Sequence, residues 1–261
     1  MNSLTVLVVS YKMKEYLEIM INSFEKFKPK NFTVNYIIVE NSNDRSYEEH
    51  IKSLNNNISW FYNPIGIYET NSYGHGTGYE LGKQHIKSDW TWVAHGDVCV
   101  TSRSFYSELK NKVQEGFSLV GVNYDTHSGR TKAAFCAGYL VETQVLKNTS
   151  MLPRLPKYDT TDLVTKYCRD NNKKIHIFNN TYNKPEMNSL INQPFKSWGP
   201  DCGVDRCLDS DNQVMYMHLG RGTTKKQGTY RKEGKKLYSD WIEICEQILS
   251  ADLDKDKVQN I

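Results

Sequence analysis

Two mostly apolar, β-branched runs, LTVLVVS at residues 4–10 and VNYIIVE at 34–40, enclose a single helical stripe. Between them, in KEYLEIMINSFEKF, the residues Leu17, Met20, Ile21, Phe24 and Phe27 recur at spacings of three and four, which is one face of an α-helix. A continuous apolar run with no wet alternate positions predicts a strand buried on both faces. DRSYEEHIKSL (44–54) then predicts a helix and NISWFY (57–62) a third strand. The order β-α-β-α-β specifies a parallel sheet with helices on its faces.

Composition agrees with this and excludes several alternatives. A chain of 261 residues accommodates one large α/β domain or two small ones and buries a core without staples. Its 38% hydrophobic and 24% charged residues are ordinary for a globular protein. The net charge of +3 is too weak to announce a nucleic-acid binder. No stretch approaches the roughly 18–20 apolar residues of a membrane span. The N-terminus has neither a basic region before its apolar run nor a small-residue cleavage site, so the expected location is cytoplasmic. The six cysteines sit mostly among apolar neighbours, as reduced buried thiols do. Cys202 and Cys207 with His218 offer three zinc ligands at non-standard spacing and no fourth. The 17 tyrosines suit stacking on sugars or bases and equally suit packing.

Three polar clusters fall at the carboxyl ends of the early strands: Ser10-Tyr11-Lys12, Glu40-Asn41-Ser42-Asn43-Asp44, and His95-Gly96-Asp97 at the end of WTWVAHGDV. Any one of them makes an adequate turn. Together they lie where a parallel α/β sheet opens its ligand crevice. Between the third and fourth strands, NSYGHGTGYELGKQHI (71–86) carries glycines at 74, 76, 78 and 82 into an amphipathic segment, letting backbone approach a phosphate or sugar. The chain lacks both the GxGxxG fingerprint after its first strand and the P-loop Gly-Lys-Ser/Thr, so a nicotinamide-type enzyme and a P-loop NTPase are not supported.

Further along, a Ser-capped helix is expected at 102–115, strands at 118–124 and 133–142 with an antiparallel member, and a helix over 159–171. Strands follow at 173–178 and 213–221, the latter carrying His218, then a helix at 236–250 and an acidic tail. From Arg221 to Lys236 seven Lys/Arg face one acid, Glu233, among glycines, which reads as a solvated loop or a flexible phosphate clamp.

The order of these features resembles a GT-A fold nucleotide-sugar glycosyltransferase and is similar to glycosyltransferase family 2. The matching stretches are VVSYK, VENSND, the Gly-rich helix start, a strand ending where the family has Asp-X-Asp, the acidic DTTDL opening a helix, and a histidine after a late strand. They cover residues 4–222. The resemblance implies a Rossmann-like, mostly parallel central sheet with helices on both faces and an antiparallel acceptor-side extension. It implies a glycosyltransferase domain at 1–222, with a nucleotide-sugar half at 1–100 and an acceptor half at 101–222. Residues 223–261 would form a basic loop, a helix and a tail.

The same resemblance implies individual roles. Ser10, Tyr11 and Asn41 would line the nucleotide pocket beside Gly74 and Gly76, and Glu40 would read the base edge. Asp97 and His218 would bind Mn2+ or Mg2+ bridging the donor diphosphate, a hard cation that prefers oxygen. His95 departs from the family's acid and would either join the metal or hydrogen-bond the donor. Asp159 or Asp162 would be the catalytic base, although carboxylates at a helix start also cap it and answer its dipole. Arg221, Lys225 and Lys226 would clamp the leaving diphosphate. The implied activity is metal-dependent, inverting transfer from a UDP-sugar to a hydroxyl of a glycan or lipid-linked saccharide. A hydroxymethylated DNA base is the alternative acceptor, and a non-catalytic sugar- or nucleotide-binding module is a third reading. A GT-A nucleotidyltransferase usually carries an Arg/Lys-containing triphosphate loop after its first strand, which is missing after VVS.

Overall fold

The structure is a computed structural model that describes residues 1–66, 71–122, 133–134, 136–182, 184–191, 195, 204–229 and 234–251. The chain divides into two compact units, Met1–Gly220 and Arg221–Ile261.

In the first unit, β1 (Ser3–Ser10), β2 (Thr33–Glu40), β3 (Ile58–Tyr62) and β4 (Trp90–His95) lie parallel, as the early runs require. Then β6 (Leu119–Val122), β7 (Gly138–Glu142) and β8 (Ile175–Phe178) complete a seven-stranded sheet in the order β3-β2-β1-β4-β7-β6-β8. Only β7 runs against its neighbours, which is the expected antiparallel member. A second sheet of β5 (Val98–Val100), β9 (Asp205–Leu208) and β10 (Val214–His218) is antiparallel, in the order β5-β10-β9.

Because side chains alternate along a strand, β1 and β2 serve two cores. On one face Leu7, Val9, Ile37 and Val39 pack with Tyr79 of α3 (Asn71–Lys83) and with Val164 and Cys168 of α6 (Asp162–Asp170). The glycines of α3 allow this approach, since a Cβ on Gly82 would stand 2.4 Å from Leu7 Cδ1 and 2.9 Å from Val39 Cγ2. On the other face α1 (Lys14–Phe27) buries the whole predicted stripe, Leu17, Met20, Ile21, Phe24 and Phe27. Here Phe24 meets Tyr36 of β2 and Phe105 of α4 (Ser104–Gln114) edge to face. Trp92 of β4 touches both Phe105 and Tyr216 of β10, so one aromatic layer joins the two sheets.

Several boundaries differ from the sequence expectation for local reasons. The helix expected over 44–54 is α2 (Glu48–Ser53). Its first residues instead form side-chain turns, with Asp44 N donating to Ser42 Oγ and Ser46 N to Asp44 Oδ1. The serine cap expected at 102 is absent: Ser102 Oγ bonds Ser104 Oγ, and α4 has no side-chain cap. The helix expected from 159 starts at Asp162, because Thr161 adopts a left-handed φ of 74°. Among the described residues of the 133–142 run only Gly138–Glu142 is strand, and Asn123 and Tyr124 lie outside the described residues. A short helix, α5 (Thr143–Lys147), follows β7 directly.

In the second unit the basic segment is not all loop. Residues 222–227 form α7 (Gly222–Gln227), and the expected C-terminal helix is α8 (Gly234–Ser250). Leu237, Trp241, Ile244, Cys245 and Ile248 are the buried stripe of α8.

Candidate functional site

The hinge between the two sheets is two residues long. β4 ends at His95 and β5 begins at Val98, leaving Gly96-Asp97 to change direction. Backbone pairing then brings β10 back to this corner: His218 pairs with Val98, and Leu219 N donates to Asp97 O at 3.0 Å. Three side chains converge as a result. His218 Nε2 lies 3.2 Å from His95 Nδ1 and 3.3 Å from Asp97 Oδ1, and one ligand atom from each residue falls within 4.8 Å of the others. Asp97 and His218 are each 3% exposed. Burial, reinforced by the neighbouring His75 and His218 rings, drives the His95 pKa well below its usual value against the pull of Asp97. His95 is therefore neutral near pH 7, with a lone pair to offer.

This donor set fits a divalent cation. A single nitrogen, His218 Nε2, faces both an imidazole nitrogen and a carboxylate oxygen. His95 Nε2 is buried with no hydrogen-bond partner among the described residues. Spacings of 3.2 and 3.3 Å are those of ligands each about 2.0–2.2 Å from a common ion.

His75 joins this corner, and the sequence reading passed over it in favour of its flanking glycines. Its ring stacks on Tyr79 at 4.6 Å and lies 5.0 Å from the His95 ring. Tyr79 donates to Ala94 O at 2.8 Å, so α3 braces the residue before His95. Burial lowers the His75 pKa to about 4, although the Asp159 and Asp97 carboxylates pull it upward. The available signal was the four-residue spacing of His75 and Tyr79, which puts both rings on one helical face.

At the ends of β1 and β2 the expected nucleotide residues divide. Tyr11 is exposed at 46%, and Ser10 is buried with its carbonyl accepting Asn41 N. Glu40 is fully buried; Lys12 N and Ser42 N donate to its Oε1 at 3.2 and 2.9 Å, and the Tyr47 hydroxyl donates to its Oε2. Asn41 Nδ2 donates to Gly74 O at 2.8 Å, and Asn63 Nδ2 donates to Asn41 Oδ1 and Thr77 Oγ1, both at 2.9 Å. This amide network ties the β2 and β3 ends to the first turns of α3. At Gly76 a Cβ would meet Met151 O at 2.8 Å.

The acidic pair also divides. Asp162, 2% exposed, accepts Asp159 N on Oδ2 at 2.7 Å, which fixes the left-handed corner at Thr161. Asp159 is half-buried, accepts Thr160 N on Oδ1 at 2.7 Å, and acts electrostatically on His75. Thr160 Oγ1 donates to Ser72 O at 2.6 Å, holding this loop to the start of α3.

Arg221, Lys225 and Lys226 belong to the second unit. Arg221 is left-handed at φ 53°, and its carbonyl accepts Lys225 N and Thr224 Oγ1. Lys225 is fully buried, whereas Arg221 is exposed. Cys207 is buried in β9, and Cys202, Arg231 and Lys232 lie outside the described residues.

No family model and no curated protein matches the sequence. Among solved structures, S. aureus TarS superposes with a TM-score of 0.50 at 15% identity, over 68% of this chain and 35% of the TarS chain. This chain has the GT-A fold. Other solved structures are similar at lower scores. The mannosyltransferase PcManGT from Pyrobaculum calidifontis, in complex with GDP-Man and Mn2+, has a TM-score of 0.49 at 9% identity, over 72% of this chain and 59% of that one. Glucosyl-3-phosphoglycerate synthase from Mycobacterium tuberculosis has a TM-score of 0.46 at 13% identity, over 68% and 70%. The bifunctional IspDF from Campylobacter jejuni has a TM-score of 0.43 at 9% identity. The chain spans about a third of the TarS length. A shared fold does not fix the chemistry, so function rests on the site.

Proposed function

We propose that this chain is a glycosyltransferase that holds a divalent cation on His95, Asp97 and His218 and transfers sugar from a nucleotide sugar, a UDP-sugar first, to a hydroxyl acceptor. The observation that carries the reading is the convergence of two imidazole nitrogens and one carboxylate oxygen at the carboxyl end of β4. This is where an α/β sheet opens its ligand crevice. A bound cation would neutralise the charge that develops on the departing diphosphate.

The chain's own residues supply the rest. Tyr11, exposed beyond β1, offers a ring face to the base. Glu40 and the Asn41–Asn63–Thr77 network hold the loops around that face in fixed positions. Asp159 is the general base for the acceptor hydroxyl, since Asp162 is occupied in holding the Asp159 backbone. A base on the face opposite the leaving diphosphate gives inversion at the anomeric carbon. A glycan hydroxyl is the acceptor on this reading.

The test is mass spectrometry of products from a panel of nucleotide sugars and saccharide acceptors with Mn2+. One added sugar residue on an acceptor is the expected result. Unchanged acceptors with every donor, from folded protein that binds nucleotide sugar, would favour the binding module instead.

A further inference from the structure

The proposed cation site is richer in nitrogen than a pair of aspartates would make it, and that has a consequence for which ion it takes. We infer that the site selects a transition ion of the Mn2+ to Zn2+ series and discriminates against Mg2+ and Ca2+. The inference rests on the proposed function for the existence of the cation, and goes beyond it in the class of ion.

His95 and His218 each present an imidazole nitrogen, and Asp97 alone presents a carboxylate oxygen. Mg2+ and Ca2+ are hard ions that take oxygen ligands, and Mg2+ gives up its water reluctantly. Imidazole suits Zn2+, Ni2+ and Fe2+, and affinities for one nitrogen-containing site rise from Mn2+ through Co2+ to Ni2+. With one formal negative charge from three ligands, the site also lacks the charge that compensates a hard ion for lost water.

The surroundings keep the nitrogens in place. The His95 ring is held between His75, 5.0 Å away, and His218, 5.1 Å away, and the preceding Ala94 carbonyl is tied to Tyr79. His218 ends a buried strand whose next residue, Leu219, donates to Asp97 O. Neither ring needs to leave its packed position to offer a lone pair to the corner.

The experiment is metal binding by the full chain, with each metal added alone and no donor present. Co2+ is titrated by its visible absorption and Mg2+ by its competition with Co2+. The Mn2+ complex is examined by pulsed electron paramagnetic resonance for 14N coupling. The expected result is Co2+ bound at least tenfold more tightly than Mg2+, with 14N coupling on Mn2+. In His95→Asp, and separately in His218→Asp, that ratio should shrink at least tenfold; the second variant guards against misfolding of the first. Equal Co2+ and Mg2+ affinity, or Mn2+ without 14N coupling, overturns the selectivity and leaves the transferase reading standing. If no divalent ion binds, the cation part of the proposed function falls with it.

Discussion

His218 Nε2 stands 3.2 Å from His95 Nδ1 across 123 residues of sequence. Neither strand could bring them together alone. The main sheet ends β4 at His95, and the second sheet carries β10 back antiparallel to β5, so a two-residue hinge fixes the meeting point. Asp97 is the second residue of that hinge, and its backbone carbonyl is already engaged by Leu219 N.

The two acids of the 159–162 corner should separate in their effects. Asp159→Asn is expected to lower kcat by about 10²–10⁴-fold, the usual contribution of a general base, with little change in melting temperature. Asp162→Ala removes the acceptor for Asp159 N and should cost about 1–3 kcal/mol of stability. Steady-state kinetics beside urea denaturation of both variants reads the difference. A stable but inactive Asp162→Ala with a fully active Asp159→Asn would reverse the assignment.

Gly82 marks the closest approach of α3 to the sheet. Gly82→Ala puts a methyl 2.4 Å from Leu7 Cδ1, so the helix must shift or Leu7 must leave its rotamer. The expected cost is about 1–3 kcal/mol, seen as a lower urea midpoint with unchanged slope. Because α3 also carries His75, cation affinity should weaken in the same variant. An unchanged midpoint would mean that the helix has more freedom than its packing implies.

His176 on β8 gives a pH dependence with a defined sign. Burial, with Lys112 nearby, holds its pKa below the usual value of 6.5, Glu115 opposing. The unfolded chain therefore takes up this proton first as pH falls. The stability involved is fully present above pH 6.5 and is lost as pH drops through the folded-state pKa. Melting temperatures of wild type and His176→Gln between pH 7.5 and 5 should converge or cross, with the variant showing the flatter curve. Parallel curves would contradict the assignment.

The early half of the fold was legible because a strand covered on both faces has few wet positions, and the mostly apolar runs of β1 and β2 announce this. Of the second sheet only β10 was, as the alternating run at 213–221 that carries His218. β5 has three residues, too few to show a period. β9 reads DRCL, with Asp205 and Arg206 both buried. Asn180 Nδ2 and Tyr182 N satisfy the Asp205 carboxylate, while Arg206 donates to Val204 O. Only a tertiary partner makes such a strand possible, and no local pattern records it. In the site, Asp97 and His218 were visible as polar ends of apolar strands. His75 was hidden because its role comes from ring contacts across α3 and β4, and the glycines around it drew the reading towards the backbone.

The most direct test of the central claim is what leaves the donor. Wild type and Asp97→Asn would be incubated with UDP-sugars, Mn2+ and an acceptor panel, and released UDP would be measured. Pyrophosphate would be followed in parallel with nucleoside triphosphates and sugar phosphates. The account predicts metal-dependent UDP release by wild type, about a hundredfold or more slower in Asp97→Asn with an unchanged circular dichroism spectrum, and no pyrophosphate. UDP release that survives both excess chelator and Asp97→Asn, or pyrophosphate as the product, would contradict it.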